Sequence, residues 1–329
     1  MKIGLIAALV LSASAGNAAE ISATDQSWSV DPKFEKNDKV RLALSGAACV
    51  PDTNQCLIVN DEKKYAEFFT IGPHLLRPGR VIKLLPDTVD GVEMDEIDAE
   101  GVVFLNGSFY ITGSHGLSRK TGELKPSIFR VFRFAVDTNT GLPAFEFNDD
   151  DVAPTIDSTP KLRGIIKDQA ELAPFAEVKL DKNGANIEGI TAQGSDLLFG
   201  FRAPLVGAGK DHAVVLRVDA NGLFGKGKPA AKLHTLKLEP GLGIRDMAVA
   251  KSGVLLLAGP SGEAKGEPSL WLWDGTSATP TKLGTLPSIE PSEKAETVLV
   301  IKDDATSLHL LVLFDSILDG GPREFIVRL

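Results

Sequence analysis

Residues 98–115, DAEGVVFLNGSFYITGSH, decide the fold. An apolar run interrupted only by Glu100 leads into Asn106-Gly107, and a second apolar run follows. Asn-Gly between two β-type runs predicts a tight hairpin. The layout returns four times: 43–50 with 56–62, 186–193 with 197–204, 244–251 with 254–261, and 294–301 with 310–316. Each pair is a short β run with a polar residue near its start, a turn, then a strongly apolar run. Aligned, they put Ser45, Glu100, Glu188, Asp246 and Glu296 in one column, at steps of 55, 88, 58 and 50 residues.

Third-strand candidates follow in 127–137, 212–222, 269–275 and 324–329, and fourth strands in 80–87, 231–239 and 281–287. Four antiparallel strands in a recurring unit of this length predict an all-β chain folded as a single β-propeller. The rival is a β-sandwich, which does not predict a polar column recurring along the chain. Five blades is the count, or six if the long step hides a degenerate blade. That step carries the acidic run Asp149–Asp151 and one helical pattern, Thr159 to Phe175. There Thr159 caps, Pro160 takes the first helical position, and Leu162, Ile165, Ile166 and Leu172 share a face. The reading is therefore a propeller with a helical insertion near 149–176. The last unit lacks a fourth strand, and the N-terminal segment, residues 27–39, has no unit of its own. An N-terminal strand is expected to complete the last blade and remove an aggregation-prone edge.

The ends and composition set the location. Lys2, the apolar run Ile3 to Leu11 and the small residues up to Ala19 read as a secretory signal over 1–19, leaving 20–329 as the propeller domain. The run is too short to span a bilayer, which takes roughly 20 residues. The chain is thus expected in the periplasm or outside the cell. Cys49 and Cys56, the only cysteines, flank a turn-forming stretch, so a cross-hairpin disulfide is expected in that compartment. A formal net charge of −9 argues against nucleic acid and anionic lipid surfaces as partners.

In a propeller the first strands line the central channel, so the column residues ring one mouth. The ends of the second strands join them there: Asp61, Glu62, Ser114, His115, Arg202, Pro260 and Asp315, with Arg245 beside Asp246. Four carboxylates on one mouth raise each other's pKa and need compensation. Three arrangements supply it. Glu100, Glu188, Asp246 and Glu296 could ligate a hard cation, Ca²⁺ above all. Arg202 and Arg245 could pair with them. Or each carboxylate could accept backbone N–H groups of the next blade as a structural clip. Trp271 and Trp273 read as blade packing, facing one side of their strand.

The strings GSH at 113–115, GFRAPL at 200–205 and GIRD at 243–246 carry a family resemblance. With LSG…CLIVNDE, NIEGITAQ and the final AET, the chain from Leu44 to Ser316 resembles the bacterial domain of unknown function 3616 family. That implies a propeller with no established reaction. The Glu-Gly strand starts are also similar to those of calcium-dependent propeller hydrolases, the gluconolactonase-type enzymes and phytase-like esterases. In the lactonase group a glutamate so placed is a metal ligand, which the resemblance carries to Glu100 and Glu188. The chain departs from that pattern with Ser45 in the first unit, Arg-Asp in the fourth and no glycine in the fifth.

The functional expectation is a small-molecule site at the mouth. In it Ca²⁺ assists hydrolysis of a phosphoester or lactone, Arg202 and Arg245 hold an anionic group, and His115 moves a proton. The alternative is a non-catalytic binding or scaffolding propeller. Its carboxylates are clips, and its protein partner meets the 145–175 insertion.

Overall fold

The computed structural model describes residues 19–329 except Lys36, Lys120, Asp149 and residues 263–265. The expected signal sequence lies outside the described residues. Strands dominate and pair into five sheets of four or five strands, with one small hairpin at Thr88–Val89 and Val92–Glu93. Blades 2 to 4 run inner strand to outer strand in chain order, and in blades 1 and 5 the outermost strand comes from the N-terminal segment. Their inner strands are Leu44–Cys49, Ala99–Leu105, Asn186–Gln193, Leu242–Ala250 and Lys294–Asp303. This is a five-bladed propeller.

Five apolar clusters fill the spaces between neighbouring blades. The last joins Leu311 and Leu313 of blade 5 to Leu44 and Ile58 of blade 1, with Phe34 between. A blade has a neighbour on each face, so its middle strands are apolar on both sides rather than alternating. Val254–Ala258 of blade 4 is buried at every position for this reason. Trp271 and Trp273 are buried in the cluster between blades 3 and 4, as expected of blade packing.

Three details differ from the sequence expectation. Blade 5 is completed by Glu20–Ala23, which pairs antiparallel with the C-terminal strand Arg323–Arg328. The completing strand therefore lies upstream of 27–39. Within that stretch Ser29–Val30 instead runs parallel to the outer strand of blade 1, Leu75–Lys83. Second, the long step hides no sixth blade. It supplies the outer strand of blade 2, Asp157–Thr159, and a helix of eight residues, Lys161–Asp168, followed by a 3₁₀ turn at Ala173–Phe175. Thr159 ends a strand, although its hydroxyl still accepts from the Lys161 amide at 3.3 Å. Third, Leu162, Ile165, Ile166 and Leu172 turn inward into the cluster between blades 2 and 3, and Phe145 and Phe147 pack on the cluster between blades 1 and 2. The insertion's apolar face is therefore internal.

Cys49 and Cys56 form the cross-hairpin disulfide at the far end of blade 1. Among the described residues, no helix is long and apolar enough to cross a membrane.

Candidate functional site

The channel mouth is built on a repeated irregularity. In blades 2 to 5 the inner strand bulges by one residue against its neighbour. The extra residue, skipped by the ladder, is Glu100, Glu188, Arg245 and Glu296 in turn. A bulge bends the strand and re-aims a side chain. Here it aims the residue at the channel. The ring position of blade 4 therefore belongs to Arg245, and the expectation that Asp246 occupies it is off by one. The apolar residue just before the bulge gives the register: Ala99, Ile187, Ile244 and Ala295. Aligning on that position, instead of on the sign of charge, would have found Arg245.

The residue after the bulge faces the next blade. In the first three blades it is glycine. A Cβ on Gly46 would lie 2.4 Å from the Cα of Gly101, and one on Gly101 would lie 2.8 Å from Ile190 Cγ2. Only glycine lets these inner strands approach so closely. Asp246 holds the matching place in blade 4, and its Oδ2 accepts the Val298 amide of blade 5 at 2.8 Å. Its Oδ1 accepts the Met247 amide at 2.8 Å. Asp246 is thus a clip between blades 4 and 5, one of the three arrangements foreseen.

Arg245 stands between the glutamates of the blades on either side. Its Nη1 donates to Glu188 Oε2 at 2.6 Å and lies 3.0 Å from Glu296 Oε1. Arg202 Nη1 donates to Glu188 Oε1 at 2.7 Å, and Asn186 Nδ2 to the same oxygen at 3.1 Å. Direct pairing with arginine therefore describes this side. Glu188 and Arg245 are each 4 % exposed, deep enough for the pairing to decide their charge. Burial alone would raise the Glu188 pKa, but Arg245 and Arg202 outweigh it and hold the group below its usual range. Glu296 shares only Arg245, and burial pushes it up to about 8.

Blades 1 and 2 furnish the other side, with different chemistry. No hydrogen bond or ion pair engages the Glu100 carboxyl among the described residues. Burial raises its pKa well above the usual value, and Asp98, Glu188, Asp61 and Glu296 add to the shift. Asp61 Oδ1 is buried without a partner. Burial first, then the charges of Asp98, Glu62 and Asp315, move Asp61 up to about 7. Asp98 accepts from Ser114 Oγ, yet burial still raises it. Glu62 and Asp315, further out, pair with Lys39 and Lys294.

The structure separates His115 from this ring. Its imidazole is fully buried, its two nitrogens have no partner, and it packs 6.0 Å from the Phe129 ring. Burial and the nearby Arg163 charge press its pKa down to about 3. Arg163, from the helix Lys161–Asp168, bonds the His115 carbonyl at 3.1 Å. His115 therefore belongs to the seam that holds the insertion, and a proton-moving role at the mouth does not fit. Sequence reasoning missed that Asp61 and Asp98 are the like-charged neighbours of Glu100, although Asp61 was placed at the mouth.

The four carboxylates proposed for Ca²⁺ do not fit a cation. Asp246 is bound to amides, Glu188 is neutralised by two arginines, and Glu296 shares one of them. Among the described residues, no three His, Cys, Asp or Glu side chains form a group able to hold a metal ion. Two surface clefts lie at the hairpin end of the blades, away from the mouth.

Comparison with known proteins matches this architecture. No curated protein sequence matches the chain. Among solved structures, an exo-β-1,3-galactanase from Phanerochaete chrysosporium superposes with a TM-score of 0.51 at 11% identity. The alignment covers 93% of this chain and 64% of that one. A provisionally assigned gluconolactonase gives 0.43 at 12% identity, over 95% and 93% of the two chains. A provisionally assigned 6-phosphogluconolactonase from Bacteroides uniformis gives 0.37 at 10%, over 82% and 66%. At such identities the likeness is one of fold. The profile described as protein of unknown function (DUF3616) matches residues 148–321, more than half of the sequence. The chain belongs to the DUF3616 family.

Proposed function

We propose that the protein is an exported hydrolase of a neutral lactone or ester, working at the acidic side of the channel mouth. The observation that carries this is the pair Asp61 and Glu100, two half-buried carboxyls of adjacent blades that form no ion pair among the described residues and sit among like charges. Carboxyl groups whose environment moves them toward neutral pH suit acid and base roles. Glu100, kept neutral, gives its proton to the departing oxygen. Asp61, titrating near neutral pH, takes a proton from the attacking water. The water oxygen bonds to the acyl carbon, the acyl C–O bond breaks, and one carboxyl gains the proton that the other gives. The product acid is an anion, which the surrounding carboxylates repel from the mouth.

Charge selects the substrate class. Arg202 and Arg245 are already engaged by Glu188 and Glu296, so neither is free to hold an anion. A phosphoester, the other class read from sequence, would meet uncompensated negative charge. No metal step is derived, because the donor set does not fit one. The disulfide Cys49–Cys56 supports an oxidising compartment and so the exported location.

The test is hydrolysis of D-glucono-1,5-lactone by chelator-treated protein, followed by pH-stat titration. The expected rate exceeds buffer, and Glu100→Gln lowers kcat by about 100-fold with the melting temperature unchanged or raised. A rate no faster than buffer, loss of rate on chelation, or an active Glu100→Gln protein would overturn the proposal. The scaffolding alternative is favoured by one observation, the Asp246 clip. If Glu100 were also a clip, Glu100→Gln would melt far lower.

A further inference from the structure

At the hairpin end of the propeller, remote from the mouth, a cleft of about 310 Å³ opens between blades 2 and 3. One wall is the face of blade 2, where Tyr110 pairs across the ladder with Arg133, and Arg133 with Asp157. The other wall is the short helix Ala220–Phe224, which follows the third strand of blade 3. Phe224 reaches across. Its ring meets Tyr110 at 5.8 Å and carries the Arg133 guanidinium at 4.4 Å. Arg133 Nη2 donates to Asp157 Oδ2 at 2.6 Å. The guanidinium is therefore fixed in plane from two directions before any ligand arrives.

Tyr110 and Thr155 are uncharged, as are the four other polar residues of the lining, Asn106, Ser108, Ser195 and Asn221. No hydrogen bond engages these four side chains among the described residues. Each amide or hydroxyl offers both a donor and an acceptor. The only charges, on Arg133 and Asp157, cancel within the site. An anion reaching Arg133 would meet Asp157, and a cation reaching Asp157 would meet Arg133. A group that donates and accepts at once, such as a pair of neighbouring hydroxyls, satisfies both. The volume is at the small end of ligand sites, roughly 300–1,000 Å³.

We infer that this cleft binds a neutral polyhydroxylated ligand, a monosaccharide or one end of a short saccharide, through Arg133, Asp157 and the four neutral side chains. The site is independent of the chemistry at the mouth. The experiment is ligand-observed saturation-transfer NMR on the full chain with D-glucose, D-galactose, N-acetyl-D-glucosamine and lactose. Transfer to at least one of these is expected, with affinity lowered at least tenfold by Arg133→Ala. The exposed Asn221→Ala, which leaves the ladder untouched, lowers it at least threefold. Absence of transfer from all four would overturn the inference. So would unchanged affinity in both variants, or D-gluconate binding tenfold tighter than D-glucose.

Discussion

The two sides of the channel mouth are made from the same repeat and do different things. On the side of blades 3 to 5, Glu188, Arg202, Arg245 and Glu296 form a closed network, and Asp246 is held by two amides. On the side of blades 1 and 2, Asp61 and Glu100 form no ion pair among the described residues, and Asp98 accepts from a single hydroxyl. One substitution separates them. A cation occupies the ring position in blade 4, where blades 2, 3 and 5 have glutamate. A buried unpaired carboxyl costs stability, and proteins keep such a cost where it serves a site. Half of the ring is thus framework, and the other half is where chemistry is sought.

The comparison breaks most sharply at Arg245. Replacing it with alanine leaves Glu296 without its ion-pair partner and Glu188 with one arginine instead of two. Loss of a partner from a buried pair costs about 3–5 kcal/mol, to be read from urea unfolding. A loss below about 1 kcal/mol would remove the distinction between the two sides. Asp246→Ala comes next, at about 1–3 kcal/mol, because the Val298 and Met247 amides lose their acceptor. Asp246→Asn, which keeps one oxygen, should lose less in the same measurement.

A third test concerns pH. Asp61 and Glu296 titrate near 7 and 8 in the fold, against ordinary values of 3.8 and 4.5. Between those limits the folded state holds more protons than the unfolded one, so stability falls as pH rises. Their contribution is complete below about pH 4 and is lost through pH 7 and 8. Melting temperatures should therefore decline from pH 5 to 9. Asp61→Asn should remove the limb near 7, worth about 2–4 °C per kcal/mol in a chain of this size. An identical slope in wild type and Asp61→Asn would place the titration elsewhere.

Much of this was legible from the chain alone. The blade count followed from paired apolar runs, because a strand between two neighbours must be apolar throughout. The disulfide followed from two cysteines flanking a turn. What failed was local. The outer strand of blade 2 is three polar residues, Asp157–Thr159, whose pattern carries no strand period. Its capping-like Thr159-Pro160 pulled the helix start backward. The Asp246 error came from aligning acid with acid. The bulge that decides the register is a backbone property, visible in sequence only through the apolar residue before it. His115 was lost because sequence order places it next to the mouth, while its side chain turns toward Phe129. The unpaired state of Asp61 and Glu100 depends on which arginine reaches which glutamate, and no single-blade pattern contains that.

The closure of blade 5 has a mechanical consequence. Glu20 lies opposite Arg328, so the described chain begins and ends at the same end of one short antiparallel pair. A force applied to those two ends does not shear the pair, with every bond loaded together. It peels Glu20–Ala23 away one rung at a time, like a zipper. A load on Glu20 and Arg328 therefore opens the outer edge of blade 5 without loading the rest of its sheet at once.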